Sequence, residues 1–75
     1  MDLYYVTWDE KKWGHYYEYI HVFRGHSVKH VRELVQDEQN YRRRTGRPHM
    51  FHISVTKKRP SEDEIDRRKR GHLYF

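Results

Sequence analysis

The chain predicts a small α+β domain of β-β-α-β order: a three-stranded sheet with one main helix on one face, then a short C-terminal helix and an apolar tail. Three observations predict it. Two runs rich in β-branched and aromatic residues flank a short charged connection that contains a glycine. Apolar residues then recur at helical spacing between a Ser and a Gly/Pro terminator. A run of strict apolar–polar alternation follows.

Each element has its own signal. Residues 3–8, Leu-Tyr-Tyr-Val-Thr-Trp, read as the first strand. Residues 9–14 carry charge and Gly14, which suits a hairpin loop. Residues 15–23 read as the second strand, because their aromatics cluster without a 3.6-residue period. Ser27 is a candidate N-cap, since its hydroxyl can accept from an amide of the first helical turn. Val28, Val31, Leu34 and Val35 then share a face, and the helix runs from 28 to about 43, ahead of Gly46 and Pro48. Arg42, Arg43 and Arg44 fall in its last turn, where positive charge suits the macrodipole.

Residues 49–56 read as the third strand, with Phe51, Ile53 and Val55 pointing one way and Met50, His52, Ser54 and Thr56 the other. Ser61-Glu62-Asp63-Glu64 fits a capping box. Acids then lead bases at i,i+4 spacing (Asp63–Arg67, Glu64–Arg68, Asp66–Arg70), with Gly71 as the expected C-cap. The tail His72-Leu73-Tyr74-Phe75 is expected to dock or to add an edge strand. Residues 1–60 therefore form the β-β-α-β domain, and 61–75 the charged helix and tail.

Composition narrows the function classes. With 75 residues, 35% of them hydrophobic and 36% charged, the core must be thin and a large catalytic cleft is not expected. Aromatics at 16% argue for a folded chain despite that charge. The absence of cysteine removes disulfide scaffolds, Cys-based zinc fingers and thiol nucleophiles, and fits a reducing, cytoplasmic compartment. No signal-peptide pattern and no long apolar run are present, so no membrane association is expected.

The net charge of +5 is unevenly placed. Between Gln39 and Pro60 there is no acid, while Arg42, Arg43, Arg44, Arg47, Lys57, Lys58 and Arg59 all fall there. Such a stretch favours polyanions. If the helix covers Phe51, Ile53 and Val55 with Tyr16, Ile20 and Val22, the other face shows Tyr17, Tyr19, His21 and Phe23. Aromatics ringed by basic loops suit nucleic acid, RNA or DNA and single-stranded in particular: bases stack on Tyr17 and Tyr19 while Arg and Lys neutralise phosphates. Equally, in a chain with few aliphatics those aromatics can be the core.

The competing reading is a protein-interaction module or inhibitor that docks on an acidic or nucleic-acid-binding surface of a host protein, with Trp13 as its anchor. Small size and high Tyr and Arg content suit an accessory protein of a phage or other mobile element. One uncovered sheet face would also suit a homodimer.

Catalysis ranks third. His52-Ile53-Ser54 looks like one half of a two-histidine phosphoesterase site, but His21-Val22-Phe23 lacks the hydroxyl. A small ribonuclease would draw on His52, His21 and Arg47. His26 and His30 are spaced i,i+4, yet no His-Glu-x-x-His pattern or Cys supports a metal site. No cofactor, no metal and no enzymatic activity are expected. The strand order resembles half of an RNA-recognition fold, without that family's Lys/Arg-Gly-Phe/Tyr strand motif, so no residue role follows from it.

Overall fold

The computed structural model describes residues 1–70. The order is β1 (Asp2–Lys12), β2 (His15–Gly25), α1 (Val28–Thr45), β3 (Phe51–Thr56), α2 (Glu62–Arg67) and β4 (Lys69–Arg70). The sheet has four strands, not the three expected, in the order β3-β1-β2-β4. β1 is antiparallel to both β2 and β3, whereas β4 runs parallel to β2. β2 and β3 thus run the same way with β1 between them, and α1 makes the crossover. Among the described residues no helix is long and apolar enough to cross a membrane.

β1 and β2 are joined by a two-residue turn, Trp13-Gly14, with φ of 51° and 80°. Positive φ at both positions is the signature of a type I′ turn, whose twist matches that of the flanking strands. α1 begins where the Ser27 Oγ accepts from the His30 amide at 3.0 Å. It ends at Gly46, which takes the left-handed conformation while the Arg47 amide donates to the Arg42 carbonyl at 2.9 Å.

The core lies between α1 and one face of the sheet. Tyr4, Val6 and Trp8 of β1 are buried with Val31 and Val35 of α1 and with Met50. β1 dominates because it is the central strand and projects alternate residues onto α1. Its register sets the faces of its neighbours, since residues directly opposite in an antiparallel pair share a face. Phe23, His21, Tyr19 and Tyr17 stand opposite Tyr4, Val6, Trp8 and Glu10. They therefore belong to the helix side. This reverses the facing expected of β2: Tyr16, Ile20 and Val22 belong to the other face.

β3 brings a second correction. Val55 pairs with Val6 and packs against the core as expected. Phe51 pairs with Asp9 on the opposite face, because the register shifts between Thr7 and Asp9 and His52 takes φ of 55°. This β-bulge breaks the alternation assumed for Phe51, Ile53 and Val55.

The C-terminal helix is shorter than expected. Arg68 is its extended C-cap, and Lys69-Arg70 leave it to pair with Tyr19-Ile20 as β4. Glu64–Arg68 forms at 3.4 Å, while Arg67 turns to Glu18 of β2 at 3.0 Å. The Arg68 guanidinium also donates to the Tyr19 carbonyl at 3.4 Å, which ties α2 to the sheet. The expected roles of Gly71 as C-cap and of residues 72–75 as a docked or paired tail lie outside the described residues.

Candidate nucleic-acid interface

One end of the molecule is assembled around Arg42. Its side chain leaves the last turn of α1 and runs inward, 3% exposed. Nε donates to Glu38 Oε2 at 2.7 Å, and Nη1 donates to Glu10 Oε2 at 2.9 Å and to the Pro48 carbonyl at 3.0 Å. The guanidinium lies 5.6 Å from the Trp8 ring centroid, and the Trp8 indole donates to the same Glu10 oxygen at 2.9 Å. Burial opposes the Arg42 charge, but hydrogen bonds with Glu38 and Glu10 outweigh it and hold the guanidinium above its ordinary pKa. The expectation that Arg42 contacts phosphate is therefore corrected: its donors are committed to two buried carboxylates.

This network positions the exposed cations nearby. The Gln39 amide clamps Met50 from both sides, donating to its carbonyl at 2.9 Å and accepting from its N–H at 3.0 Å. With Arg42 holding the Pro48 carbonyl, the connection from 46 to 50 is fixed against α1. Arg43, Arg44 and Arg47 are exposed at this end. The β1–β2 turn lies at the same end, since Glu10 and Lys12 of the hairpin face Arg42, Arg47 and Pro48 across a shared cavity. Trp13 at its tip is 90% exposed.

That cavity measures about 290 Å³ and is lined by Lys12, Tyr19, Arg42, Arg47 and Arg70 together with Glu10 and Pro48. Lys12 Nζ donates to the Tyr19 hydroxyl at 2.9 Å and lies 3.7 Å from Glu10 Oε1. The bond with Tyr19, above all, raises the Lys12 pKa from its ordinary 10.5.

The remaining predicted residues fall elsewhere. Lys57, Lys58 and Arg59 follow the far end of β3. A six-residue strand is about 20 Å long, so they form a second cluster and do not converge with Arg43, Arg44 and Arg47. Lys57 pairs with Asp2 at 3.0 Å, which lowers the Asp2 pKa and raises that of Lys57. Arg59 pairs with Glu62 at 2.7 Å. The two tyrosines expected to stack bases on an open face lie on the helix side of the sheet. Tyr19 is half-buried and stacked on Trp8 with centroids 5.8 Å apart, and Tyr17 is half-buried with Lys69 Nζ 4.7 Å from its ring centroid.

The three residues considered for a ribonuclease are not brought together. His21 lies opposite Val6 on the helix side, and Arg47 lines the cavity described above. His52 sits on the other face with its Nδ1 2.8 Å from Asp9 Oδ2, beside the Tyr16 ring. His30 Nδ1 accepts from the His26 amide at 3.1 Å. Among the described residues no group of three or more His, Cys, Asp or Glu is placed to hold a metal ion.

Sequence reasoning missed Glu10, Glu38 and Lys12. Glu38–Arg42 has the i,i+4 spacing that could have been noticed. The partnership of Glu10 with Arg42, 32 residues apart, carries no local signal. Compared with protein-family models, with curated proteins and with solved structures, the chain matches none.

Proposed function

We propose that this chain binds nucleic acid, RNA or DNA, through the end of the domain where α1 and the β1–β2 turn meet. Arg43, Arg44 and Arg47 neutralise backbone phosphates, and Trp13 offers its ring to an unpaired base. Lys58, with Lys57 and Arg59, adds a second region of positive charge toward the other end. One observation supports the reading most: three exposed arginines share an end with a Trp that is 90% exposed and held at φ of 51°. A bulky residue is disfavoured in that conformation, and full exposure gives no packing in return.

The test is fluorescence anisotropy of labelled single-stranded and duplex oligonucleotides over a salt series. Binding should fall steeply with salt. The pair Arg43→Glu and Arg47→Glu should abolish it, or flatten the slope on a single strand by about 0.7 for each phosphate that is no longer neutralised. An unchanged affinity and slope would contradict the proposal.

Trp13 also favours a second reading, a protein-interaction module or inhibitor anchored by that ring. The same titration separates the two. A single saturable protein partner whose binding disappears in Trp13→Ala, with no salt-sensitive polyanion binding, would favour the module.

A further inference from the structure

β3 is an outer strand of the sheet, and among the described residues no strand lies beyond it. Its outward N–H and C=O groups are a template for one more strand. Edge strands are commonly blunted by charge, by proline or by a bulge. Phe51–Thr56 contains no Lys, Arg, Asp, Glu or Pro. Its bulge lies near His52, at the start, so Ser54, Val55 and Thr56 pair in regular register with Thr7, Val6 and Tyr5. Beside this edge α1 and β3 border a groove of about 310 Å³, lined by Val35, Ile53 and Val55 with Arg32 and Gln36. Ile53 is 41% exposed although it stands beside that groove. No acid lines the groove, and the exposed Arg32 guanidinium pairs with no acid among the described residues.

We infer that β3 is the docking edge for an extended acidic peptide, which adds a strand to the sheet and lays an apolar side chain in the groove and a carboxylate on Arg32. Side chains two positions apart share a face of a strand, so one peptide supplies both. Main-chain hydrogen bonds to β3 give such a complex its affinity, and the groove gives it specificity. Charge selects the acid, because the planar guanidinium of Arg32 matches a carboxylate in a two-bond geometry. Lys57 and Arg59, just past the strand, already hold Asp2 and Glu62; the selection rests on Arg32. Pairing β3 with β3 of a second copy would instead set two Arg32 side chains on the same side of the joined sheet, like charge beside like charge. The groove shares no residue with Arg43, Arg44, Arg47 or Trp13, so nucleic-acid binding neither requires nor excludes it.

The probe is a labelled heptapeptide with blocked ends, Thr-Leu-Thr-Asp-Thr-Leu-Thr, which reads alike in both directions and so serves either strand orientation. It is titrated by fluorescence anisotropy beside the same peptide with Lys at its centre. The acidic peptide should bind about tenfold more tightly, the effect of one charge-assisted hydrogen bond. Arg32→Glu, at an exposed helix position, should reverse that preference. Ile53→Ser should weaken the acidic peptide several-fold, and circular dichroism establishes that both variants keep the fold. Two further acidic peptides, N-methylated either on the Thr residues or on the Leu and Asp residues, test the added strand. Alternate amides of a strand point to opposite edges, so one of the two should lose binding and the other keep it.

No binding of the acidic peptide, or equal affinity for the acidic and basic ones, overturns the inference. Equal binding of both N-methylated peptides overturns the added strand. A dimer seen by sedimentation and lost in Ile53→Ser overturns the peptide and gives the edge to a second copy. Each of these outcomes leaves oligonucleotide binding to its own titration.

Discussion

At the scale of single residues, two side chains sit where local preference would not put them. Trp13 occupies the first position of a type I′ turn, with φ of 51°. Asn is the favoured residue there, because the left-handed region costs a bulky side chain about 1–2 kcal/mol. Trp13→Asn should therefore stabilise the domain by about 1 kcal/mol in urea unfolding while weakening binding of the partner. A variant that loses stability would show that Trp13 supports the fold. Arg42 is the opposite case, a charge withdrawn from the surface. Arg42→Ala would leave Glu10 and Glu38 buried without their cation, a change that costs about 3–5 kcal/mol. For a domain this small that is most of its stability. Thermal unfolding by circular dichroism should show a steep loss; a shift of only a few degrees would mean that the network contributes little.

At the scale of elements, legibility followed how local the signal was. α1 was readable to within about two residues because Ser27 and Gly46 act on their own neighbours and Val28, Val31, Leu34 and Val35 repeat within one segment. β2 was readable as a strand but not as a face. Tyr17, Tyr19, His21 and Phe23 form one bulky, mostly aromatic set and Tyr16, Ile20 and Val22 another, so alternation alone did not fix which set faces the helix. Only the register with Trp8 and Tyr4 decides between them. The bulge at His52 left no mark either, since a histidine does not announce positive φ. β4 is two residues long, and its partner, β2, is about 50 residues earlier in the chain.

The join between β2 and α1 makes a testable element-scale claim. A Cβ on Gly25 would stand 2.5 Å from Cγ2 of Val31, a fully buried side chain. Gly25→Ala should cost about 1–3 kcal/mol through overpacking, read as a lower urea midpoint. A neutral result would show that α1 can move away from the strand end without loss.

At the scale of the whole molecule, the order of the basic residues along the chain differs from their arrangement on the surface. The acid-free stretch from Gln39 to Pro60 holds six of the thirteen exposed Lys and Arg among the described residues. Read linearly, it suggested one patch. In the fold β3 divides it: Arg43, Arg44 and Arg47 stand at one end, and Lys57, Lys58 and Arg59 beyond the other. The same folding takes Arg42 out of the patch and brings in Lys12 and Arg70, which the sequence holds far apart. Charge along the chain was legible; its distribution over the surface required the register of every strand.

Whether the α1–hairpin end is the binding surface is tested most directly by mapping amide chemical shifts in ¹⁵N-labelled protein during titration with a short single-stranded oligonucleotide. Perturbed amides are expected at residues 11–14 and 42–48, with smaller changes near 57–59. An unchanged spectrum at low salt, or changes confined to the far end of β3 or to the face bearing His52, would contradict that assignment.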